Sequence, residues 1–243
     1  PVLVLFGEKG ASKSTTLRFA RSVIDPSRTG LLSLPSKEEL IQQLSHNYAP
    51  CYDNITRLGE GVSDVLCRAV TGEGGSKRRL YTDDEDMLYS FRRVIGINGI
   101  NNVVQKSDLL DRSILIELNR ITRSDRKTEA MENNAFETDK PVILAGLFDI
   151  LARARALIID LEMKEYPRMA DFAKWGCAIA EAIGVGSDEF LRVYSDNIGK
   201  QNQEVIENDP VAQIVSVFME DRPEWEGSPT ELFEELEEVA EKI

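Results

Sequence analysis

The sequence predicts an α/β fold with a C-terminal helical lid from three observations. A run rich in Val and Leu, Val2 to Phe6, has the length and composition of a short buried strand. It stops at Gly7 and passes through a glycine-containing loop into the helix-type run TTLRFARSVI. From about residue 138 onward, apolar residues recur at helical spacing with Gly/Pro punctuation, which describes helices rather than further sheet.

The loop between strand and helix reads Gly7-Glu8-Lys9-Gly10-Ala11-Ser12-Lys13-Ser14-Thr15. Strand, glycine-containing loop, Lys-Ser and helix form the context of a phosphate-binding loop. Loop and helix N-terminal N–H groups converge there on an anion site. Lys13 would reach the β- and γ-phosphates of a nucleoside triphosphate, and the Ser14 hydroxyl would hold Mg²⁺. Ser12 departs from the pattern GxxxxGK[ST], since a glycine is usual at that position.

Composition bounds the rest. The 243 residues are enough for one large core, or one core plus a small accessory domain. With 42% hydrophobic and 29% charged residues and no apolar run near eighteen, the expectation is a soluble chain without a membrane span. The chain starts without Met or a signal peptide, which reads as a fragment of a longer polypeptide. Cys51, Cys67 and Cys177 show no CxxC or Cys/His spacing, so a reducing cytoplasm is expected. The net charge of −13 is uneven: residues 204–243 hold thirteen acids and two bases, leaving twenty-nine acids against twenty-seven bases elsewhere. Net charge therefore does not exclude DNA.

Taken in order, the first helix ends near Asp25-Pro26, and GLLSLP is a candidate second strand. Ser36 and Glu39 make a capping box for a helix over SKEELIQQL. HNYAPCYDNI reads as a strand ending in Asp53-Asn54. An acid at that end, beside the phosphate loop, would hold the Mg²⁺ water shell. The usual second acid is Asn54 here, which orients a water but cannot take its proton. EGVSDVLCRAV predicts a helix stopping at Thr71-Gly72. TGEGGSKRRLYT then reads as a loop or hairpin bearing Lys77, Arg78 and Arg79, either a grip on a DNA backbone or a solvated turn.

RRVIGINGINN is the next strand. Asn98, near its end, is placed either to touch the γ-phosphate or the attacking water, or to start an Asn-Gly turn. SDLLDRSILIELNRI predicts a helical turn and a strand from Ile114 to Leu118. Arg112 then either reaches a neighbouring subunit's γ-phosphate or pairs with Asp111 or Asp108. Three helices follow, with Arg153, Arg155 and Arg168 as candidate nucleotide-sensing arginines. DPVAQIVSVFME is another helix, and WEGSPT opens an acidic terminal one.

The ordered set GEKGASKST, CYDN, INGIN and DLLDRS resembles the AAA+ ATPases of the helicase superfamily 3 type found in primase-helicases of phages, plasmids and integrated elements. RMADFAKWG resembles the lid of that group, and WEGSPTEL the entry to a C-terminal winged-helix domain. The resemblance implies a P-loop NTPase, AAA+-like core built as a three-layer sandwich over 1–125, a helical lid over 138–206 and the start of a truncated C-terminal, winged-helix-like region over 207–243. It implies ATP and Mg²⁺ as ligands and a central sheet free of antiparallel strands. It also implies a homo-oligomeric ring, typically a hexamer, around DNA, single-stranded in the first instance. Other replication domains would lie in the same full-length chain. Lys13 and Ser14 fall on its Walker A motif, Asp53 on Walker B, Asn98 on sensor 1 and Arg112 on the arginine finger. Lys77 to Arg79 fall where these helicases carry a DNA-contacting hairpin. The expected activity is an ATP-driven DNA helicase or translocase in replication of a mobile element. The alternative is a nucleotide-switched assembly or loading module with little turnover, which Asn54 favours. A P-loop small-molecule kinase fits the long helical tail less well.

Overall fold

Val2, Val4 and Leu5 lose nearly all contact with solvent because strands flank them on both sides. The computed structural model describes residues 1–72, 75–78, 86–89, 91–208 and 210–241. In chain order its elements begin with β1 (Val2–Phe6), α1 (Lys13–Ile24), α2 (Lys37–His46), β2 (Cys51–Ile55) and α3 (Glu60–Thr71). Then come β3 (Gly75–Arg78), β4 (Asp86–Tyr89), β5 (Ile95–Gly99), α4 (Ser107–Leu110) and β6 (Ser113–Glu117). The remainder is α5 (Glu129–Leu157), α6 (Ala170–Ala182), α7 (Ser187–Asn208), α8 (Pro210–Met219) and α9 (Pro229–Ala240).

Four strands form one sheet in the order β2-β5-β1-β6, with every neighbouring pair parallel. This is the α/β architecture expected from the sequence. Every residue of β5 is buried, and the register pairs Leu5 with Asn98 and Phe6 with Glu117. Gly96 admits no side chain: a methyl group there would lie 2.6 Å from Leu17 Cδ1 and 2.8 Å from Cys51 Sγ. That absence lets α1 lie close over the sheet. GLLSLP contributes less than a strand. Only Leu32 bridges Tyr52, through hydrogen bonds of 2.8 and 3.0 Å to the backbone of Cys51 and Asp53.

The helix ends follow their sequence signals. Ser36 and Glu39 form the reciprocal capping box at α2. Gly72 ends α3 in the left-handed conformation, φ 86°. β3 and β4 pair antiparallel, Lys77 opposite Met87 and Arg78 opposite Asp86, while Arg79 lies outside the described residues.

α5 starts earlier than its apolar pattern announces, at Glu129 behind the Thr128 cap, and continues through Pro141. Its first turns are polar but anchored. Arg18 of α1 bonds Glu129 at 2.7 Å and Asn133 at 3.1 Å, and the rings of Phe19 and Phe136 stack 4.0 Å apart. Further along, Ala154 packs with Ala178 and Ala182 of α6. Gly176 lets the Phe190 ring of α7 approach, since a methyl group there would meet that ring at 2.0 Å.

The chain divides into two units, Pro1–Asn197 and Ile198–Ile243. Within the second, Arg222 lies over the Phe218 ring and bonds Glu235 at 2.5 Å, and Ser228 and Glu231 box the start of α9. No helix among the described residues is long and apolar enough to cross a membrane.

Candidate functional site

The loop after β1 folds as it does because its small residues permit it. Gly7 has φ 134°, and a methyl group there would lie 2.3 Å from the Leu118 carbonyl oxygen. Gly10 has φ 87°. Ser12, the departure from the usual motif, is itself left-handed with φ 55° and ψ 25°, and its side chain makes no capping bond. The backbone therefore takes the conformation a glycine would take, at a cost of about 1–2 kcal/mol for carrying a Cβ. The first turn of α1 contains no acid of its own, so its N–H groups and the positive end of the helix dipole face the loop. Lys13 folds back over the loop, donating from Nζ to the carbonyls of Gly7 at 2.7 Å and Glu8 at 2.8 Å.

Beside that loop three sequence-predicted side chains meet. Ser14 Oγ donates to Asp53 Oδ1 at 2.6 Å, and Asn98 Nδ2 donates to the same oxygen at 2.7 Å. Asn98 is 2% exposed, and its Oδ1 accepts the backbone N–H of Asn54 at 2.8 Å. The topology explains the meeting: β5 lies between β1 and β2, so its C-terminal end delivers Asn98 between the Gly7–Thr15 loop and Asp53.

A bulge completes the arrangement. Tyr52 pairs with Ile97 and Ile55 with Gly99, so Asp53 and Asn54 together oppose the single residue Asn98. Asn54 sits at φ 56°, a left-handed position that asparagine tolerates better than most side chains, and is exposed. Asn54 thus has a conformational reason for its identity, independent of any catalytic one. Beside this pair a hollow of about 550 Å³ is lined by residues that include Ser33, Thr56 and Arg57.

Arg112 stands at the other end of the sheet, where its carbonyl accepts the Val2 N–H at 2.8 Å. Its guanidinium donates to Asp108, to the carbonyl at 2.5 Å and the carboxylate at 2.9 Å. Arg168 joins the same cluster, bonding Asp108 at 2.7 Å and also Asp111. Arg112, then Arg168, hold the Asp108 carboxyl below its ordinary pKa range. Arg168 is therefore engaged away from the Gly7–Thr15 loop, and Arg153 and Arg155 are exposed on α5. Lys77 and Arg78 lie on β3, away from the Ser14–Asp53–Asn98 meeting point in sequence and sheet.

The fit of a divalent cation follows from the donor set. Among the described residues no group of three or more His, Cys, Asp or Glu side chains could cage a metal. Ser14 and Asp53 offer adjoining hard oxygens, which suit Mg²⁺ held by few protein ligands, waters and substrate phosphates.

Residues 1–201 match the family model of actinomycete integrative conjugative element replication proteins. The chain belongs to that family. No curated protein matches it. The matched span takes in the loop Gly7–Thr15, Asp53, Asn98 and Arg112, and stops before α8.

Sequence reasoning overlooked a basic segment of this replication protein between β6 and α5. Leu118 donates its N–H to the Phe6 carbonyl at 2.8 Å, and Ile121 donates to Gly10 at 3.1 Å. Arg120 and Arg126 are thereby laid beside Gly10. The only signal in the sequence was the spacing of arginines at 120, 123 and 126 in a polar stretch, which by itself describes any solvated loop.

Proposed function

We propose that this replication protein binds ATP with Mg²⁺ at the loop Gly7–Thr15 and hydrolyses it to move along or unwind DNA, as an AAA+ ring motor of the superfamily 3 helicase type. One observation carries the reading: Ser14, Asp53 and Asn98 converge through hydrogen bonds of 2.6 and 2.7 Å beside the acid-free N-terminus of α1. Phosphoryl transfer needs positioning and charge neutralisation more than covalent chemistry, and this set supplies both.

In that mechanism Lys13 exchanges the Gly7 and Glu8 carbonyls for phosphate oxygens and offsets the charge developing on the γ-phosphoryl group. Ser14 and Asp53 would hold the Mg²⁺, which supplies Lewis-acid neutralisation of the β- and γ-phosphates when bound. Asn98 keeps Asp53 oriented through one Nδ2 hydrogen, and the other, directed at Ser14 Oγ at 3.5 Å, would be released to align the attacking water once Ser14 turns to the metal. As water bonds to the γ-phosphorus, the bond to the bridging oxygen breaks, the water's proton passes to a γ-phosphate oxygen, and ADP and inorganic phosphate leave. Arg112, at the opposite end of the sheet, acts on the next subunit's nucleotide, and Lys77, Arg78 and Arg79 contact the DNA backbone.

A second reading, a nucleotide-switched assembly or loading module, is favoured by Asn54. Asp53 is the only carboxylate in the network among the described residues, so binding is better provided for than proton removal.

The deciding experiment is ATP hydrolysis with and without single-stranded DNA, at low salt, over a range of protein concentrations. DNA stimulation, with turnover per subunit rising on assembly, supports the motor. Tight ATP binding with flat, negligible turnover supports the switch. Absence of ATP binding overturns both.

A further inference from the structure

We infer that Arg126 is a phosphate-contacting residue acting on the nucleotide of its own chain, with Arg120 flanking it; this rests on the nucleotide reading above. The geometry starts at Gly10. A methyl group placed there would lie 3.1 Å from Arg126 Nη2 and 3.8 Å from Arg126 Cζ, so the guanidinium itself lies against the loop. Arg120 approaches the same glycine with its Cγ, at 3.9 Å from that methyl position.

The placement is fixed at both ends of the segment. On one side Leu118 and Ile121 are hydrogen-bonded to Phe6 and Gly10. On the other, α5 is tied to α1 through Glu129 and Asn133 on Arg18 and through the Phe19–Phe136 stack. Both anchors belong to the strand and helix that carry the phosphate loop, so Arg126 keeps its station relative to the loop.

The charge points the same way. Asp125 is the nearest acid in sequence, but its carboxylate accepts the Thr122 hydroxyl at 2.5 Å and the Ser124 hydroxyl at 3.4 Å. Among the described residues neither Arg120 nor Arg126 has a carboxylate partner, and both are exposed. In a chain of net charge −13, Lys9, Lys13, Arg120 and Arg126 thus gather around one loop. A polyphosphate offers a guanidinium fork the paired oxygens that these surroundings do not.

The test is equilibrium binding of ATPγS and ADP, with Mg²⁺, to the full chain and to Arg126→Ala, Arg126→Lys and Arg192→Ala. Arg192 is a control, paired with Glu189 and Asp196 on α7. A charge-assisted contact predicts a loss of roughly tenfold or more in ATPγS affinity for Arg126→Ala. Arg126→Lys should fall between that variant and wild type, and Arg192→Ala should match wild type. Melting temperatures without nucleotide should agree, which separates phosphate contact from a structural role. Equal affinity of wild type and Arg126→Ala overturns the assignment of Arg126 alone. Failure of the wild type to bind either nucleotide overturns the nucleotide reading and this inference with it.

Discussion

Asn98 Oδ1 accepts the backbone N–H of Asn54 at 2.8 Å, so one buried side chain closes the bulge that aims Asp53 at Ser14. The same amide donates from Nδ2 to Asp53, and both of its ends are used. Asn98 is therefore structural and chemical at once: it shapes the edge of β2 and fixes the carboxylate.

Asn98→Ala should consequently cost stability as well as activity. Removing the side chain leaves the Asn54 N–H without its acceptor and a cavity in a 2%-exposed site. Losing a part-buried hydrogen bond costs about 1 kcal/mol and the cavity left by Asn98 adds to it, so the urea midpoint should fall by an amount equivalent to about 1–2 kcal/mol. An unchanged midpoint would mean that the bulge holds without Asn98.

Two left-handed positions should respond oppositely to glycine and to branched residues. Ser12 and Asn54 have φ of 55° and 56°. Glycine at either should change stability by less than about 1 kcal/mol, because relief of the Cβ strain is offset by unfolded-state entropy. Valine at either should destabilise by about 2 kcal/mol or more, which thermal unfolding measures. Asn54→Glu, made to supply the missing second acid, starts from the same strained position. Its turnover must therefore be read at a temperature where the variant is folded. A large gain in rate would favour the switch reading of the wild-type protein.

These cases mark how much the sequence revealed. The strand–loop–helix opening, the Ser36 capping box, the Gly72 stop and the β5 strand were legible because each rests on neighbours in sequence. Asp53 and Asn98 were each legible as polar residues at strand ends near the Gly7–Thr15 loop, but that they meet Ser14 at one point is decided by strand order, which neighbours in sequence do not reveal. The bulge at Asp53-Asn54 left no trace in periodicity. The start of α5 was hidden because Glu129 to Phe136 hold their place through three contacts with α1 rather than through an apolar stripe. Arg126 was overlooked for the same reason: its partner, Gly10, is distant in sequence.

Stability should decline in alkali earlier than an exposed-thiol protein would show. Burial pushes the Cys51 thiol up to about 11, and burial raises Tyr52 as well. Between the ordinary thiol value and that raised one, the unfolded chain loses a proton that the folded chain keeps. Stability is then unaffected at neutral pH and falls with rising pH, by about 1.4 kcal/mol per pH unit for one such group. Urea midpoints from pH 7 to 11 should show this decline, and Cys51→Ala should flatten its first part while lowering the neutral-pH midpoint.

Arg112 and the loop Gly7–Thr15 cannot serve one another within a single chain. Arg112 adjoins the start of β1 and Ser14 follows its end; five residues of parallel strand between them span about 16 Å. Asp108 holds the guanidinium with only 16% of the side chain exposed, so the arginine is presented in a fixed pose. If a second copy brings its Gly7–Thr15 loop to that face, subunits carrying Arg112→Ala and subunits carrying Lys13→Ala should each be inactive alone. Mixed, they should recover part of the ATPase rate, because some interfaces then join an intact arginine to an intact loop. Asp108→Asn, which keeps the shape but weakens the hold on Arg112, should lower the assembled rate while leaving ATP affinity of the dilute protein unchanged. No recovery at any mixing ratio would leave Arg112 as a partner of Asp108 alone.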